Sequence, residues 1–405
     1  MLQHDSLISE FPILDQTVQG RPLVYLDNAA TTQKPMAVLL ASRHYYEAVN
    51  SNIHRGTHYL ARLATEAFEK ARQTVASHLN AASPDEVIFT AGTTDGINLV
   101  SNVLALSGRI KAGDEILIST LEHHSNIVPW QMLCERTGAE LRVIPCHEDG
   151  TLDQEVFRSL LCERTKVLSV TWISNSFGTV NPIGEMAKAA KEVGALVMVD
   201  AAQATAHQRI DVQALGIDFL ALSGHKVYAP TGIGALWGRA DVLNDLPPWR
   251  GGGEMIKEVT FEKTTYNELP FKYEAGTPNI EGAISLAAAL DFLNGLGLAS
   301  VQRHEKEIIR SAAEALSSVK GIRFFGPDDR AGALSFTVEG VHHYDLGTLM
   351  DQMGVAVRTG HHCCQPLMAR FGITGTVRAS FALYNTERDV QALAEAVAKG
   401  VSMLR

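Results

Sequence analysis

The chain lacks the excess of positive charge that an anionic partner would require: 35 Lys and Arg stand against 45 Asp and Glu over 405 residues, a formal net charge of -10. Nucleic acid and acidic membrane surfaces are therefore not expected partners, since both need a basic footprint. Cysteine is scarce, with Cys134, Cys146, Cys162, Cys363 and Cys364 making five. The number is odd and no pair has the CxxC spacing of a zinc site, which argues against a disulfide framework and a structural metal. The question left is whether any thiol is a nucleophile. No apolar run reaches the roughly 18 residues that a membrane helix needs. The N-terminal stretch MLQHDSLISEFPIL, with Asp5 and Glu10, lacks the basic segment and apolar core of a secretion signal. A cytoplasmic protein is expected. Internal repeats, low-complexity tracts and Pro/Gly/Ser linkers are also missing.

What is present is a chain long enough for two cores, with the 46% hydrophobic and 20% charged content of an ordinary globular α/β protein. Short runs rich in Val, Ile and Leu recur at 86–90, 115–119, 141–144, 167–172, 196–199, 217–222 and 233–237, and segments of helical period such as 129–138 and 184–194 separate most of them. Continuously apolar strands with helical crossovers predict a mostly parallel sheet buried on both faces. After about residue 290 the pattern becomes amphipathic helices, at 301–318 and 387–404, around shorter strand-like segments at 333–337 and 355–358. The expected organisation is a large domain over 22–290 and a smaller α+β domain formed by 291–405, with residues 1–21 packed against it.

Ligands of parallel sheets bind beyond the carboxyl ends of the strands, and polar residues gather there. Lys226 follows a strand-like run inside SGHK, where desolvation lowers an amine's pKa and lets the neutral form make a Schiff base. Asp200 ends ALVMVD; a helix N-cap is one reading, and a partner that keeps a pyridoxal ring nitrogen protonated is the other. Gly92-Thr93-Thr94, between a strand and a helix-like segment, offers N–H groups, hydroxyls and a helix dipole to a phosphate, with Ser223 and His225 placed to join them. His123 suits a ring over a cofactor face, while Gln203 and Asn175 supply neutral donors.

Two further candidates lie in the second domain. Arg378, in GTVRASF, has the planar guanidinium that binds a carboxylate through paired hydrogen bonds. Cys363, in RTGHHCCQP, sits among Arg358, His361 and His362, whose positive charge would favour a thiolate. Chemistry alone does not separate it from Cys364.

Taken in order, YLDNAATTQKP, NIHRGTHYLA, GTTDGIN, EHHSNIVPW, SNSFGTVNP, VDAAQATAH, SGHKVYAPTGIG, GGGEMI, EAGTPNI, RTGHHC and RASFALYNT resemble the group II cysteine desulfurases of the SufS and CsdA type, within the class V aminotransferases. The likeness runs from about residue 22 to 386. It implies the pyridoxal-phosphate-dependent transferase fold type I, an α/β architecture whose large domain carries a mostly parallel seven-stranded sheet beside a smaller α+β C-terminal domain. By the same resemblance, pyridoxal 5'-phosphate would be bound covalently by Lys226, with Asp200 on its ring nitrogen, His123 stacked on the ring and Gln203 at its phenolic oxygen. Thr93, Thr94, Ser223 and His225 would hold the phosphate, joined by Thr277 from the other subunit of a homodimer. Asn175, Arg378 and Arg358 would bind the substrate, and His54 and Arg55 resemble positions near the cysteine loop contributed across the dimer. Cys363, aligned on HHC, would take sulfur from L-cysteine, leaving L-alanine and an enzyme persulfide. A SufE-like or SufU-like acceptor of iron-sulfur cluster assembly would then remove that sulfur. Selenocysteine lyase activity, or another class V aminotransferase-type reaction, is the alternative that the resemblance leaves. One departure stands out: the family commonly has Ala after the catalytic cysteine, and this chain has Cys364.

Overall fold

The computed structural model describes residues 4–405, so residues 1–3 of the N-terminal segment lie outside the described residues. The seven apolar runs become one sheet: β1 (Val87–Thr90), β2 (Glu115–Ser119), β3 (Glu140–Ile144), β4 (Thr165–Thr171), β5 (Leu196–Asp200), β6 (Phe219–Ser223) and β7 (Gly234–Gly238). Their spatial order is β1-β7-β6-β5-β4-β2-β3, with β7 antiparallel to both its neighbours and the rest parallel. The runs are continuously apolar because helices cover both faces; Val197, Val199, Leu220 and Leu222 face one core while Met198, Phe219 and Ala221 face the other. The edge strand β3 differs from the expected pattern of two buried faces. Glu140, Arg142 and Val143 are exposed on it, since no strand covers its outer side.

Beyond Gly297 the chain builds a second core. The strands Ile322–Phe325, Ala333–Val338, Thr376–Ser380 and Arg358–Gly360 pair antiparallel in that spatial order. Leu334, Phe336 and Val377 of this sheet pack with Ile308 of helix Leu298–Leu316, Leu346 of His343–Gln352 and Leu393 of Glu387–Leu404. The segment expected as one strand at 355–358 is two, Val355–Ala356 and Arg358–Gly360. Val355–Ala356 pairs parallel with Val24–Tyr25, so the chain just after the N-terminal segment joins this second body. Phe11 instead lies in the larger core, edge-on to Tyr228, Phe292 and Tyr384. Among the described residues no single helix is long and apolar enough to cross a membrane.

One buried ion pair anchors the edge of the large sheet. Arg72, on helix Tyr59–Leu79, is 1% exposed and meets Glu274 through Nη1 at 2.6 Å and Nη2 at 2.9 Å, while Glu274 Oε1 also accepts from Phe89 N and Arg72 Nη1 donates to Val87 O. The Phe68, Phe89 and Phe271 rings surround the guanidinium. Removing the carboxylate leaves the buried guanidinium with a single, partly exposed partner, Glu69 at 2.9 Å from Nε, and orphans Phe89 N. Glu274→Ala is therefore expected to lower unfolding free energy by about 3–5 kcal/mol, measured by denaturant titration.

Candidate active site

All the parallel strands end on one edge, and there the polar residues converge on a cavity of about 220 Å³. Its lining includes Lys226, Ser223, His225, Thr93, Thr94, His123, Asn175, Arg358, Arg378 and Cys363. Lys226 closes the 3-10 turn Gly224–Lys226 that leaves β6. It is shielded from bulk water but keeps surface toward the cavity, and among the described residues its Nζ meets no hydrogen-bond partner. Burial pushes its pKa down, an effect that the Asp200 carboxylate partly opposes. Asp200 is the last residue of the neighbouring β5, 4% exposed, and accepts a hydrogen bond from Ala202 N at 2.9 Å. Burial raises its pKa and the lysine pulls it back.

The helix expected to begin after Thr94 begins at Thr93, so both threonines lie in its first turn. Thr93 N donates to Ser223 Oγ at 2.8 Å, and Ser223 Oγ donates to Thr93 Oγ1 at 2.9 Å. Gly92 makes this possible: its φ is 144°, and a Cβ there would stand 3.1 Å from Ser223 Oγ. Thr94 remains exposed at the positive end of the helix dipole. His225, with burial and the nearby lysines Lys226 and Lys34 acting together, is driven down to about 4 and is neutral.

His123 is neutral for similar reasons, its pKa pushed to about 3 by burial and by Lys226. Ser125 N donates to its Nδ1 at 3.1 Å, so the ring carries its proton on Nε2. Gln203 donates from Nε2 to Ala29 O at 2.8 Å, which holds the cavity-lining turn at Ala29 and Ala30.

The cysteine loop is pinned from two sides. Cys363 O accepts from His124 N at 2.8 Å, Cys363 N donates to His361 Nδ1 at 3.1 Å, and Gln365 N donates to His124 Nε2 at 3.2 Å. From the large sheet, Asn175 donates from Nδ2 to His362 O at 2.8 Å, so its amide holds the loop and has one donor fewer for a substrate. The two adjacent thiols are separated by this geometry. Cys363 is half-buried and lines the cavity, whereas Cys364 is fully buried, with its S–H directed at Asn175 Oδ1 3.3 Å away. Burial pushes the Cys364 thiol up to about 12. His362, expected as a basic neighbour, is uncharged: it is 4% exposed, bonds Thr376 Oγ1 at 2.8 Å, and burial together with Arg378 and Arg358 holds its pKa well below the usual histidine value.

Arg378 is fully buried in the strand Thr376–Ser380. Its Nη1 donates to Asn175 O at 2.8 Å and its Nη2 to Asp27 Oδ1 at 3.2 Å, while Nε has no partner. The residue lines the cavity, while this Nε is itself shielded from solvent and is an unmet donor just behind the wall. Arg358 lies beside it, half exposed.

Of the nominated residues, Asp200 and Gln203 stand behind the cavity wall and do not line it, and Thr277, His54 and Arg55 lie away from it within one chain. Thr277 is exposed in a separate groove with Trp249 and Arg250. His54 bonds Glu69 Oε1 at 2.9 Å, and Glu254 lies at ion-pair distance from both His54, at 3.1 Å, and Arg55, at 3.2 Å. Sequence reading passed over other participants. Ala29, Ala30, Ser125 and Ala202 line the cavity, and small or uncharged residues of this kind give no chemical signal by themselves. Glu122, next to His123, is buried and driven up to about 8 by desolvation while accepting from Asn126, Ser119 and Thr171 N.

The donor set fits pyridoxal phosphate. An amine and a carboxylate are buried on neighbouring strands, a neutral imidazole stands in the wall, and hydroxyls meet a helix N-terminus where a phosphate dianion belongs. Among the described residues no group of three or more His, Cys, Asp or Glu could hold a metal ion.

The contrast between the two thiols has a direct readout. In the folded protein iodoacetamide is expected to label Cys363 at least about tenfold faster than Cys364, with the difference lost in denaturant, as followed by peptide mass spectrometry.

Residues 24–393 match the family described as aminotransferase class-V. A probable cysteine desulfurase of Vibrio cholerae is 48% identical over 404 residues, covering 100% of both chains, and a cysteine desulfurase of Klebsiella pneumoniae is 49% identical over 386 residues, 95% of each. Among solved structures, the cysteine desulfurase CsdA of Escherichia coli, in an S-sulfonic acid form, superposes with a TM-score of 0.93 at 40% identity over the full length of both chains. The apo cysteine desulfurase of Thermococcus onnurineus NA1 gives 0.94 at 35%, covering 100% of this chain and 99% of the other. With its lysine, carboxylate and phosphate-type subsite on one sheet edge, the chain belongs to the class V aminotransferase family.

Proposed function

We propose that the protein is a pyridoxal-phosphate-dependent cysteine desulfurase that converts L-cysteine to L-alanine and carries the sulfur on Cys363. The observation that supports this most is a single cavity lined by an amine, Lys226, a thiol, Cys363, and a guanidinium, Arg378. An aminotransferase would need the first and third and would have no use for the second.

When bound, the cofactor supplies an electron sink for charge developing at the substrate's Cα. Lys226 would anchor it, Asp200 would keep its ring nitrogen protonated, and Ser223, Thr93, Thr94 and His225 would surround its phosphate. Gln203, which spends its amide N–H on Ala29 O, keeps its side-chain oxygen and a second N–H for the phenolic side. Arg378 receives the substrate carboxylate, with Arg358 beside it and Asn175 positioning the loop. Lys226, its amine favoured in the neutral form by burial, takes the Cα proton. His123 holds a proton on Nε2 facing the same space. Cys363 then attacks the substrate sulfur as a thiolate: the new S–S bond forms as the Cβ–S bond breaks, and the bonding electrons stay with carbon, which is protonated on the way to alanine. The persulfide left on Cys363 is handed to the thiol of an acceptor protein, which places the enzyme at the head of sulfur supply for iron-sulfur assembly.

Thr277, His54 and Arg55 act from a second copy of the chain in this reading, which makes the enzyme a homodimer. Exposed apolar residues Leu39, Leu40, Tyr46, Tyr59 and Leu60, close in sequence to His54 and Arg55, offer the surface for it.

Lys226→Ala is expected to lose the visible absorption band of the bound cofactor. Cys363→Ser should keep the band and lose at least about 99% of alanine formation from cysteine. Alanine formation that survives Cys363→Ser would refute attack by this thiol. Light scattering of the holoenzyme should give twice the mass of the chain, and a monomer with full activity would refute the dimeric site.

A further inference from the structure

Lys34 stands behind the phosphate end of the cavity with no anion of its own. It is half-buried, and its Nζ donates to Thr31 Oγ1 at 3.2 Å and to Thr32 O and lies 3.5 Å from His225 O, all of them neutral oxygens. Among the described residues no carboxylate pairs with it, and burial lowers its pKa to about 8, so it is charged at neutral pH. The segment that carries it is fixed. Thr32 N, Thr31 Oγ1 and Thr32 Oγ1 reach the same His225 oxygen at 2.9, 3.1 and 3.2 Å, and Thr32 Oγ1 accepts from Tyr228 N at 2.8 Å. His225 therefore has Lys34 at its carbonyl, while its side chain lines both the cavity and the groove that continues from it over Thr93, Thr94 and Asn98. The charge reaches that ring: Lys226 and Lys34 are the two cations that help to hold the imidazole neutral, whereas Arg378 and Arg358 act on His123.

A phosphate dianion at this end would find no net positive charge in the walls beyond the helix dipole. Asp95, in the first turn of the helix that starts at Thr93, is paired with Arg250 at 2.8 Å, and Arg250 lies over the Trp249 ring at 3.9 Å. Those two charges cancel, His225 is neutral, and Thr93, Thr94, Ser223, Asn98 and Asn102 carry none. Lys226 is opposed by Asp200, and its amine is committed to holding the cofactor. The remaining ions, Cys363 as a thiolate and Arg358 and Arg378 with their partner Asp27, belong to the substrate end. We propose that Lys34 is the cation that balances the cofactor's phosphate, acting from behind His225 and touching no reacting atom. The inference rests on the reading of this end as the phosphate subsite, and adds to it a residue that lies outside the lining of the cavity. A half-buried ammonium lacking an anion and a shielded dianion lacking a cation relieve each other, and the shielding that disfavours each alone strengthens their attraction.

The test titrates the full-length protein, freed of cofactor, with pyridoxal 5'-phosphate and with pyridoxal, which differs by the phosphate alone. Kd is read at neutral pH from the visible absorption band. Lys34→Gln keeps a donor for Thr31 and Thr32 and removes the charge. It is expected to raise the Kd for pyridoxal 5'-phosphate by about tenfold, the scale of one unit charge acting through a partly wet site, and the Kd for pyridoxal by less than about twofold. Lys34→Arg, which restores the charge, should return the ratio of the two constants to within about threefold of wild type. Lys34→Met carries the same expectation as Lys34→Gln where that variant fails to fold. Equal weakening of both ligands makes Lys34 a clamp on the turn that carries Lys226 and overturns the proposal, as does a ratio that moves by less than about twofold. The wild type tests the underlying reading separately. Equal affinity for the two ligands removes the phosphate subsite itself, whereas a phosphate preference that survives intact in Lys34→Gln leaves the subsite standing and removes Lys34 from it.

Discussion

A primary amine held away from bulk water at the end of a parallel strand is the constraint around which the rest of this molecule is arranged. An isolated buried ammonium is strongly disfavoured, so Lys226 is kept by what surrounds it: the Asp200 carboxylate on the adjacent strand, and a cavity into which its Nζ opens. The same burial that disfavours its charge prepares it to react. Because β1, β2, β4, β5 and β6 run in one direction, their ends supply the amine, the carboxylate, the hydroxyl of Ser223 and the helix start at Thr93 to one place. An antiparallel sheet of the same residues would scatter them over two edges.

The second constraint is the joining of two bodies at that edge. Asn175, from the large sheet, grips the cysteine loop and accepts from Arg378, which belongs to the smaller sheet. His362 and Cys363 both have left-handed backbone conformations, with φ of 51° and 56°, a strain of roughly 1–3 kcal/mol per residue that persists only where surrounding bonds over-determine it. His124, His361 and Asn175 supply those bonds. The turn at 362–363 aims Cys363 at the cavity and turns Cys364 toward the interior. One peptide bond therefore separates an available thiol from an inert one.

Much of this was legible in the chain. The seven strands announced themselves because helices bury them on both faces, which forces continuous runs of Val, Ile and Leu; the exposed edge strand β3, with Arg142 in its middle, carries the weakest version of the pattern. Lys226 and Asp200 drew notice because charged residues directly after such runs have few structural uses, whereas Cys363 was singled out by its polar neighbours and the likeness of HHC. The smaller body was harder to read. Two of its strands are only two or three residues long, and the segment at 355–360 breaks at Val357, where period alone cannot mark a change of sheet partner. Asp27 was quoted within a motif and given no role, since its meaning depends on two arginines that lie more than 300 residues away.

The sequence by itself determined the layered α/β design, the identity of the amine and carboxylate at the strand ends, and the placing of a thiol among polar residues near the C-terminus, because periodicity and residue chemistry are local properties. Only the tertiary structure decided which groups are charged. His362 reads as a cation in RTGHHCCQP and is neutral once buried beside Arg378 and Arg358, and Cys364 reads as the equal of Cys363 until packing removes it from water. The physical reason is that charge and reactivity depend on desolvation and on partners brought together by the fold, and neither is written in the residues adjacent along the chain.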